Sequence, residues 1–142
     1  MTVDACAELA RTADAIAAEH PDATGHDLLV ELGLRVAGIR RGRLAVLGLL
    51  TGGRSRVRGG GFRHELRDHT AGQARHFAGV ARAVTVLGGD RTEWLSVHVR
   101  RDAAGSPDGR LSALAVEFAN RLLDGSLATR DAGEWIRRNV CE

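Results

Sequence analysis

The stretch HELRDHTAGQARHF, residues 64–77, gathers more side chains that can do chemistry than any other part of this 142-residue chain. It holds three of the six histidines, together with an aspartate, a glutamate and a glutamine. Histidine changes its charge near neutral pH and serves as a general base or a metal ligand. The stretch therefore predicts a metal site, an acid–base site, or only the polar start of a helix.

Metal binding is the weakest of these three predictions. His69 and His76 are seven residues apart, which on a continuous helix is about 10.5 Å of rise, too far to hold one zinc ion at about 2 Å. His64 with Asp68, and Glu65 with His69, have the better spacing of four, but no second His/Cys cluster supplies the remaining ligands. The pattern also differs from HExxH. We expect neither a metal nor another cofactor.

Acid–base chemistry fits the pattern better. His69, Gln73 and His76 are expected along one side of a helix that is otherwise apolar, as in many pockets. A histidine base needs an orienting partner, and Glu93, beyond a Gly-Gly turn, could reach His76 if the chain folds back. This gives a hydrolase alternative in which His76 is the base, Glu93 orients it, and His69 or Gln73 positions the substrate. The favoured interpretation is that these residues only cap a helix and that His76 is a partly buried structural histidine.

The charges of the chain are strongly segregated. Residues 1–31 hold seven acidic residues and one arginine, for a net charge of −6, whereas residues 40–67 hold eight arginines and one glutamate, for +7. Either the acidic segment lies against the basic one inside the fold, or the basic segment faces an anionic partner. The candidate binding residues are five of the eight arginines of this basic segment: Arg54, Arg56, Arg58, Arg63 and Arg67.

The sequence TGGRSRVRGGG, residues 51–61, is predicted to be a flexible Gly/Arg-rich loop. It matches neither the P-loop nor the dinucleotide-binding pattern, and it contains a single RGG unit followed by Phe62. All twenty basic residues are arginine, a usage typical of a GC-rich bacterial genome, so arginine content alone is weak support for phosphate recognition. A nucleic-acid accessory role is therefore only a second alternative.

Apolar periodicity predicts an all-α single domain over residues 1–142, a compact bundle of six or seven helices. Capping patterns place helix starts at Thr24 with Asp27, at Thr70 with Gln73, at Ser106 with Pro107, and at Thr129. Further helices are expected over residues 3–19 and 40–50. Residues 90–101 read as helix or, from the alternation at 95–99, as strand.

Six side chains outside these patterns also carry predictions. Arg82, with Arg75, is expected to mark the one wet edge of the helix that starts near residue 70. The two tryptophans, Trp94 and Trp135, are expected to anchor the core. Cys6 and Cys141 are expected to be separate thiols, because a disulfide is unlikely in the cytoplasm.

The N-terminus has early acidic residues and no basic lead, and no apolar run is long enough to cross a membrane, so we expect a cytoplasmic protein. No nucleophile pattern such as GxSxG is present. The sequence therefore favours a small helical binding or accessory module that recognises a protein or other anionic partner through its basic central segment. It leaves the oligomeric state open.

Overall fold

The computed structural model describes residues 3–42, 48, 53–87 and 106–142. These residues form five α-helices and two short 3-10 turns, at His64–Leu66 and Thr129–Asp131, without a β-strand among them. The helices are α1 (Ala5–Glu19), α2 (Gly25–Ala37), α3 (Gln73–Leu87), α4 (Pro107–Asp124) and α5 (Ala132–Asn139). The all-α prediction is confirmed for this part of the chain. The described count is five rather than six or seven, and the predicted segments 40–50, in large part, and 90–101 lie outside the described residues.

Helices α1 and α2 begin at side-chain caps. The Oδ1 atom of Asp4 accepts the Ala7 N–H at 2.8 Å at the start of α1. At α2, the predicted capping box is confirmed: Thr24 Oγ1 accepts the Asp27 N–H and Asp27 Oδ2 accepts the Thr24 N–H, both at 3.1 Å. These bonds satisfy amide groups that the helix leaves unpaired.

Replacing Thr24 by Ala is expected to lower the free energy of unfolding by about 1 kcal/mol, because the cap bond to Asp27 is lost. The matched control is Thr12→Ala. The Thr12 hydroxyl only bonds the Glu8 carbonyl within α1, so its loss should cost little. Urea unfolding of both variants measures the difference, and equal destabilisation would contradict the capping role.

The pH dependence of Asp27→Asn tests the other half of the box. The backbone N–H of Thr24, and then its hydroxyl, lower the pKa of Asp27 below its ordinary value of 3.8. A carboxylate with a lowered folded pKa stabilises above the unfolded pKa, and that stabilisation is lost as the pH falls through the folded value. The stability difference between wild type and Asp27→Asn should therefore shrink below about pH 3.8. A difference that stays constant through this range would contradict the assignment.

Helix α3 lies in the middle of the bundle, packed between α2 and α4. It starts at Gln73 rather than at Thr70, so the predicted Thr70–Gln73 capping box is wrong. The Thr70 N–H and hydroxyl instead donate to Asp68. Both residues precede Gln73, the first residue of α3. The predicted wet edge is also wrong at Arg82, whose side chain is buried between helices.

Helices α4 and α5 follow the sequence pattern more closely. Ser106 Oγ accepts the Gly109 N–H at 3.1 Å, Pro107 opens α4, and Gly125 ends it with a φ of 82°. The prediction for Thr129 is wrong, because it opens a 3-10 turn and its side chain caps no helix. Trp135 is buried as predicted and stacks against Phe118 at 5.3 Å between ring centroids. Trp94 lies outside the described residues.

The two ends of the described chain meet at Cys6 and Cys141. These residues form a disulfide with a Cα–Cα distance of 5.5 Å, so the prediction of separate thiols is wrong. The thiol prediction rests on the redox compartment alone, whereas the fold brings both residues to one place beside Gly60. There the Cys6 N–H donates to the Gly60 carbonyl at 3.1 Å. None of the described helices has the length and apolar character needed to span a membrane.

Candidate functional site

The stretch 64–77 does not form one helix. His64–Leu66 is a 3-10 turn, residues 67–72 are irregular, and only Gln73 onward belongs to α3. His69 lies in the irregular part, exposed, with a left-handed φ of 66°. The periodicity predicted that His69 shares a helix face with Gln73 and His76. That prediction is wrong, because His69 lies before the helix begins.

Gln73 has a structural contact that accounts for its burial. Its side chain is 3% exposed and its Nε2 donates to the carbonyl oxygen of Leu66. The bond ties the 3-10 turn to the first turn of α3, and a buried amide with a partner is stable where an unpaired one is costly. A role for Gln73 in positioning a substrate stays a prediction.

His76 is half-buried and contacts α4. Its Nε2 lies 2.7 Å from Ser112 Oγ, a hydroxyl on a residue with 0% exposure. A serine–histidine hydrogen bond is one component of nucleophilic catalysis. Here the serine lies on the inner face of α4, where a substrate would have to enter the helix interface to reach it. The geometry is that of a histidine that satisfies a buried hydroxyl.

The orienting partner proposed for His76 was Glu93, which lies outside the described residues. The catalytic roles predicted for His76, His69 and Glu93 therefore stay predictions. Sequence spacing gave no sign of Ser112, because the contact joins residues 36 positions apart on different helices.

Asp68, in the irregular segment before α3, pairs with Asp108 in the first turn of α4. The carboxylate of Asp68 accepts the Thr70 hydroxyl at 2.7 Å and a hydrogen bond from the protonated carboxyl group of Asp108. Burial opposes ionisation of Asp68, but the hydrogen bonds from Thr70 and Asp108 outweigh it and lower the pKa of Asp68. Within the described ranges, no three His, Cys, Asp or Glu side chains gather as a metal site would require.

The basic segment is held to the helices by its backbone. The Arg54 N–H donates to the Ala37 carbonyl at 2.7 Å and the Arg56 N–H to the Val36 carbonyl at 3.2 Å, at the end of α2. On the other side, the Arg75 Nε of α3 donates to Ser55 Oγ at 3.1 Å. The flexibility predicted for residues 51–61 stays a prediction, and the described part, 53–61, is bonded to two helices.

Alternation of burial turns three arginines outward. Arg54, Arg56 and Arg58 are exposed, whereas the residues between them are half-buried, and Val57 packs against the core. We call these three side chains the arginine ridge. Among the described residues, none of the three forms an ion pair or a side-chain hydrogen bond.

Arg63 and Arg67 differ from the arginine ridge. Arg67 forms an ion pair with Glu142 at 2.5 Å and donates to the Phe62 carbonyl. Arg63 lies 3.9 Å from Glu65 and donates to the Arg138 carbonyl. The five arginines that the sequence grouped are all exposed, but they separate into three without such contacts and two that bond to the C-terminal residues Arg138 and Glu142.

The acidic N-terminal segment pairs mostly with arginines outside the basic segment. Its ion pairs join Glu8 to Arg11, Glu19 and Glu31 to Arg35, and Asp14 to Arg137. Within the described part of the chain, Arg41 alone among the basic-segment arginines reaches an acid of residues 1–31, Glu31. The sequence left two alternatives: the acidic segment pairs with the basic segment inside the fold, or the basic segment faces an anionic partner. The first alternative does not account for the arginine ridge, because none of its three side chains pairs with a described acidic residue.

Comparison of the chain with family models, with curated proteins and with solved structures found no match.

Proposed function

We propose that the protein is a binding module that recognises an acidic segment of a partner protein through the arginine ridge. The observation that carries the proposal is the exposure of Arg54, Arg56 and Arg58, which have no acidic partner among the described residues, on a segment hydrogen-bonded through its backbone to α2 and through Ser55 to α3. An anchored backbone reduces the conformational entropy that binding must overcome. Guanidinium groups suit carboxylates because their paired N–H groups match the two oxygens.

An acidic protein segment fits better than a nucleic acid. Single-stranded nucleic acids are bound by basic grooves lined with aromatic rings on which bases stack. The aromatic residue that follows the glycine-rich segment, Phe62, is fully buried and offers no such platform. The net charge of the whole chain is only +2, with much of its acidic surface on α1 and α2.

Fluorescence anisotropy with a labelled oligo-glutamate peptide and a labelled single-stranded oligonucleotide tests this proposal. We expect the peptide to bind, with an affinity that falls as salt rises, because exposed charges are screened. Binding of the oligonucleotide alone would favour the nucleic-acid alternative. Failure of both probes to bind at low salt would contradict the proposal.

The hydrolase alternative now depends on His76 and Ser112 alone. The contact between His76 and Ser112 is the observation in its favour, and the burial of Ser112 is the observation against it. Hydrolysis of chromogenic esters that disappears in His76→Ala, with the fold intact by circular dichroism, would support it over the binding module.

The proposed compartment is the cytoplasm. The Cys6–Cys141 disulfide is an observation against it, because disulfides persist mainly in oxidising compartments. Acid quenching of cells followed by alkylation tests the compartment, because a cytoplasmic environment would keep both cysteines reduced and open to alkylation. Recovery of the linked peptides in that sample would move the protein to an oxidising compartment.

A further inference from the structure

A cavity of about 1030 Å³ lies between the end of α1, the first half of α2 and the end of α3. Its walls combine apolar side chains such as Ile16 and Val30 with charged ones, among them Arg82 and Arg41. The cavity lies apart from the arginine ridge, since Arg54, Arg56 and Arg58 are not among its lining residues. Its volume is in the range of small-molecule sites.

Arg82 is the unusual member of this wall. Its side chain is 4% exposed, and its Nη1 donates to Thr85 Oγ1. Its buried Nε has no hydrogen-bond partner, and no carboxylate of the described residues pairs with it. Burial lowers the pKa of the Arg82 guanidinium, and no acidic group of the described residues acts in the other direction. A buried cation without a partner costs free energy, so its presence calls for a compensating anion.

The position of Arg82 is fixed by Gly33 of α2. A Cβ added at Gly33 would lie 3.1–3.2 Å from the Cβ, Cγ and Cδ atoms of Arg82. The arginine stem therefore lies flat on the α2 backbone, a packing that a larger residue at Gly33 would disturb. The guanidinium is held in place before any ligand arrives.

The carboxylates around the cavity do not serve as the missing partner. Glu19 pairs with Arg35 at 2.6 Å, Glu31 pairs with Arg35 at 3.0 Å and with Arg41, and Asp27 belongs to the α2 cap. Asp22 is exposed at the cavity wall and forms no ion pair with a described residue. One buried cation and one exposed anion are thus left without partners in the described part of the wall.

We propose that this cavity binds a small zwitterionic amino-carboxylate, whose carboxylate pairs with Arg82 and whose ammonium group faces Asp22. The Arg82 guanidinium lines the cavity, and its charged N–H groups suit the oxygens of a carboxylate. A doubly charged phosphate suits the cavity less, because four carboxylates line it and a single buried arginine would have to balance the charge. The apolar side chains Ile16 and Val30 suit a methylene chain between the two charged ends.

Titration of 15N-labelled protein with 6-aminohexanoate, hexanoate and inorganic phosphate tests the proposal. We expect 6-aminohexanoate to shift the amide signals of Val30, Thr85 and Val86 and to bind more tightly than hexanoate, with phosphate weakest. Arg82→Gln should weaken 6-aminohexanoate binding at least ~10-fold, the loss expected for a charge-assisted hydrogen bond. The control Arg130→Gln, at an exposed arginine away from the cavity, should leave binding unchanged.

Two further variants separate the two ends of the ligand. Asp22→Asn should remove the preference for 6-aminohexanoate over hexanoate, and Gly33→Ala should weaken both by displacing the Arg82 stem. Equal affinity in wild type and Arg82→Gln, or tighter binding of phosphate than of either carboxylate, would overturn the proposal.

The melting temperature of Arg82→Met without ligand gives an independent readout. Removal of an unpaired buried charge is expected to leave the melting temperature unchanged or raise it, while 6-aminohexanoate no longer stabilises the variant. A variant that melts well below wild type, together with a wild type that 6-aminohexanoate does not stabilise, would make Arg82 a structural residue and overturn the proposal.

Discussion

Breaking the Cys6–Cys141 disulfide is expected to lower the free energy of unfolding by about 3–5 kcal/mol. The bond joins residues separated by 135 positions, so it encloses nearly the whole chain and removes much of the freedom of the unfolded state. A loss of this size corresponds to a fall of roughly 10 °C or more in melting temperature for a domain of this length. Thermal unfolding with and without dithiothreitol measures it.

The double variant Cys6→Ala/Cys141→Ala is the control for this experiment. It should melt at the temperature of the reduced wild type and should not respond to dithiothreitol. Backbone bonds next to the disulfide, from Arg63 N–H to the Val140 carbonyl and from Glu142 N–H to the Gly61 carbonyl, are expected to fray with it. A reduced wild type that melts at the temperature of the oxidised protein would contradict the stabilising role.

Neutralising the arginine ridge by Arg54→Gln, Arg56→Gln and Arg58→Gln together is expected to weaken binding of an acidic peptide about 10- to 100-fold at low salt. An exposed ion pair contributes up to about 1 kcal/mol, and three such pairs are lost at once. The stability of the variant should hardly change, because none of the three side chains contacts an acidic residue among the described ones. Anisotropy titrations at two salt concentrations measure the loss and its screening.

A second triple variant separates local contacts from overall charge. Arg121, Arg130 and Arg138 are exposed and lie on or beside α4 and α5, away from the ridge. Changing these three to Gln removes the same charge, so we expect a much smaller loss of affinity. Equal losses in both triple variants would mean that binding follows net charge and would contradict a site at the ridge.

Three features that local sequence determines were predicted correctly. The capping box at Thr24 and Asp27, the Ser106–Pro107 start of α4 and the Gly125 end each depend on bonds within a few residues. Such bonds depend on residue types at fixed spacing, which a sequence displays directly. The apolar stripe of α4, with Phe118 and Leu122 buried, follows from the helical period in the same way.

The features that depend on competing local bonds or on distant parts of the chain were not predictable. At residues 64–72, a 3-10 turn and irregular backbone replace the helix start, because Gln73 bonds to Leu66 and Asp68 to Thr70. The spacing of Arg75 and Arg82 predicted that both side chains face solvent along one edge of α3. The aliphatic part of Arg82 instead packs against Gly33 of α2, where the missing side chain leaves room for it. The division of the five basic-segment arginines depends on where the chain ends lie, which periodicity does not reveal.

Mapping the bound surface by NMR tests the central claim most directly. A 15N-labelled protein is titrated with the oligo-glutamate peptide, and shifts are followed at backbone amides and arginine Nε–H groups. If the peptide binds at the arginine ridge, the largest shifts are expected at Arg54, Arg56 and Arg58, with little change at the ion-paired Arg35. Shifts that centre on another surface, or no shifts at low salt, would contradict a binding module built on the arginine ridge.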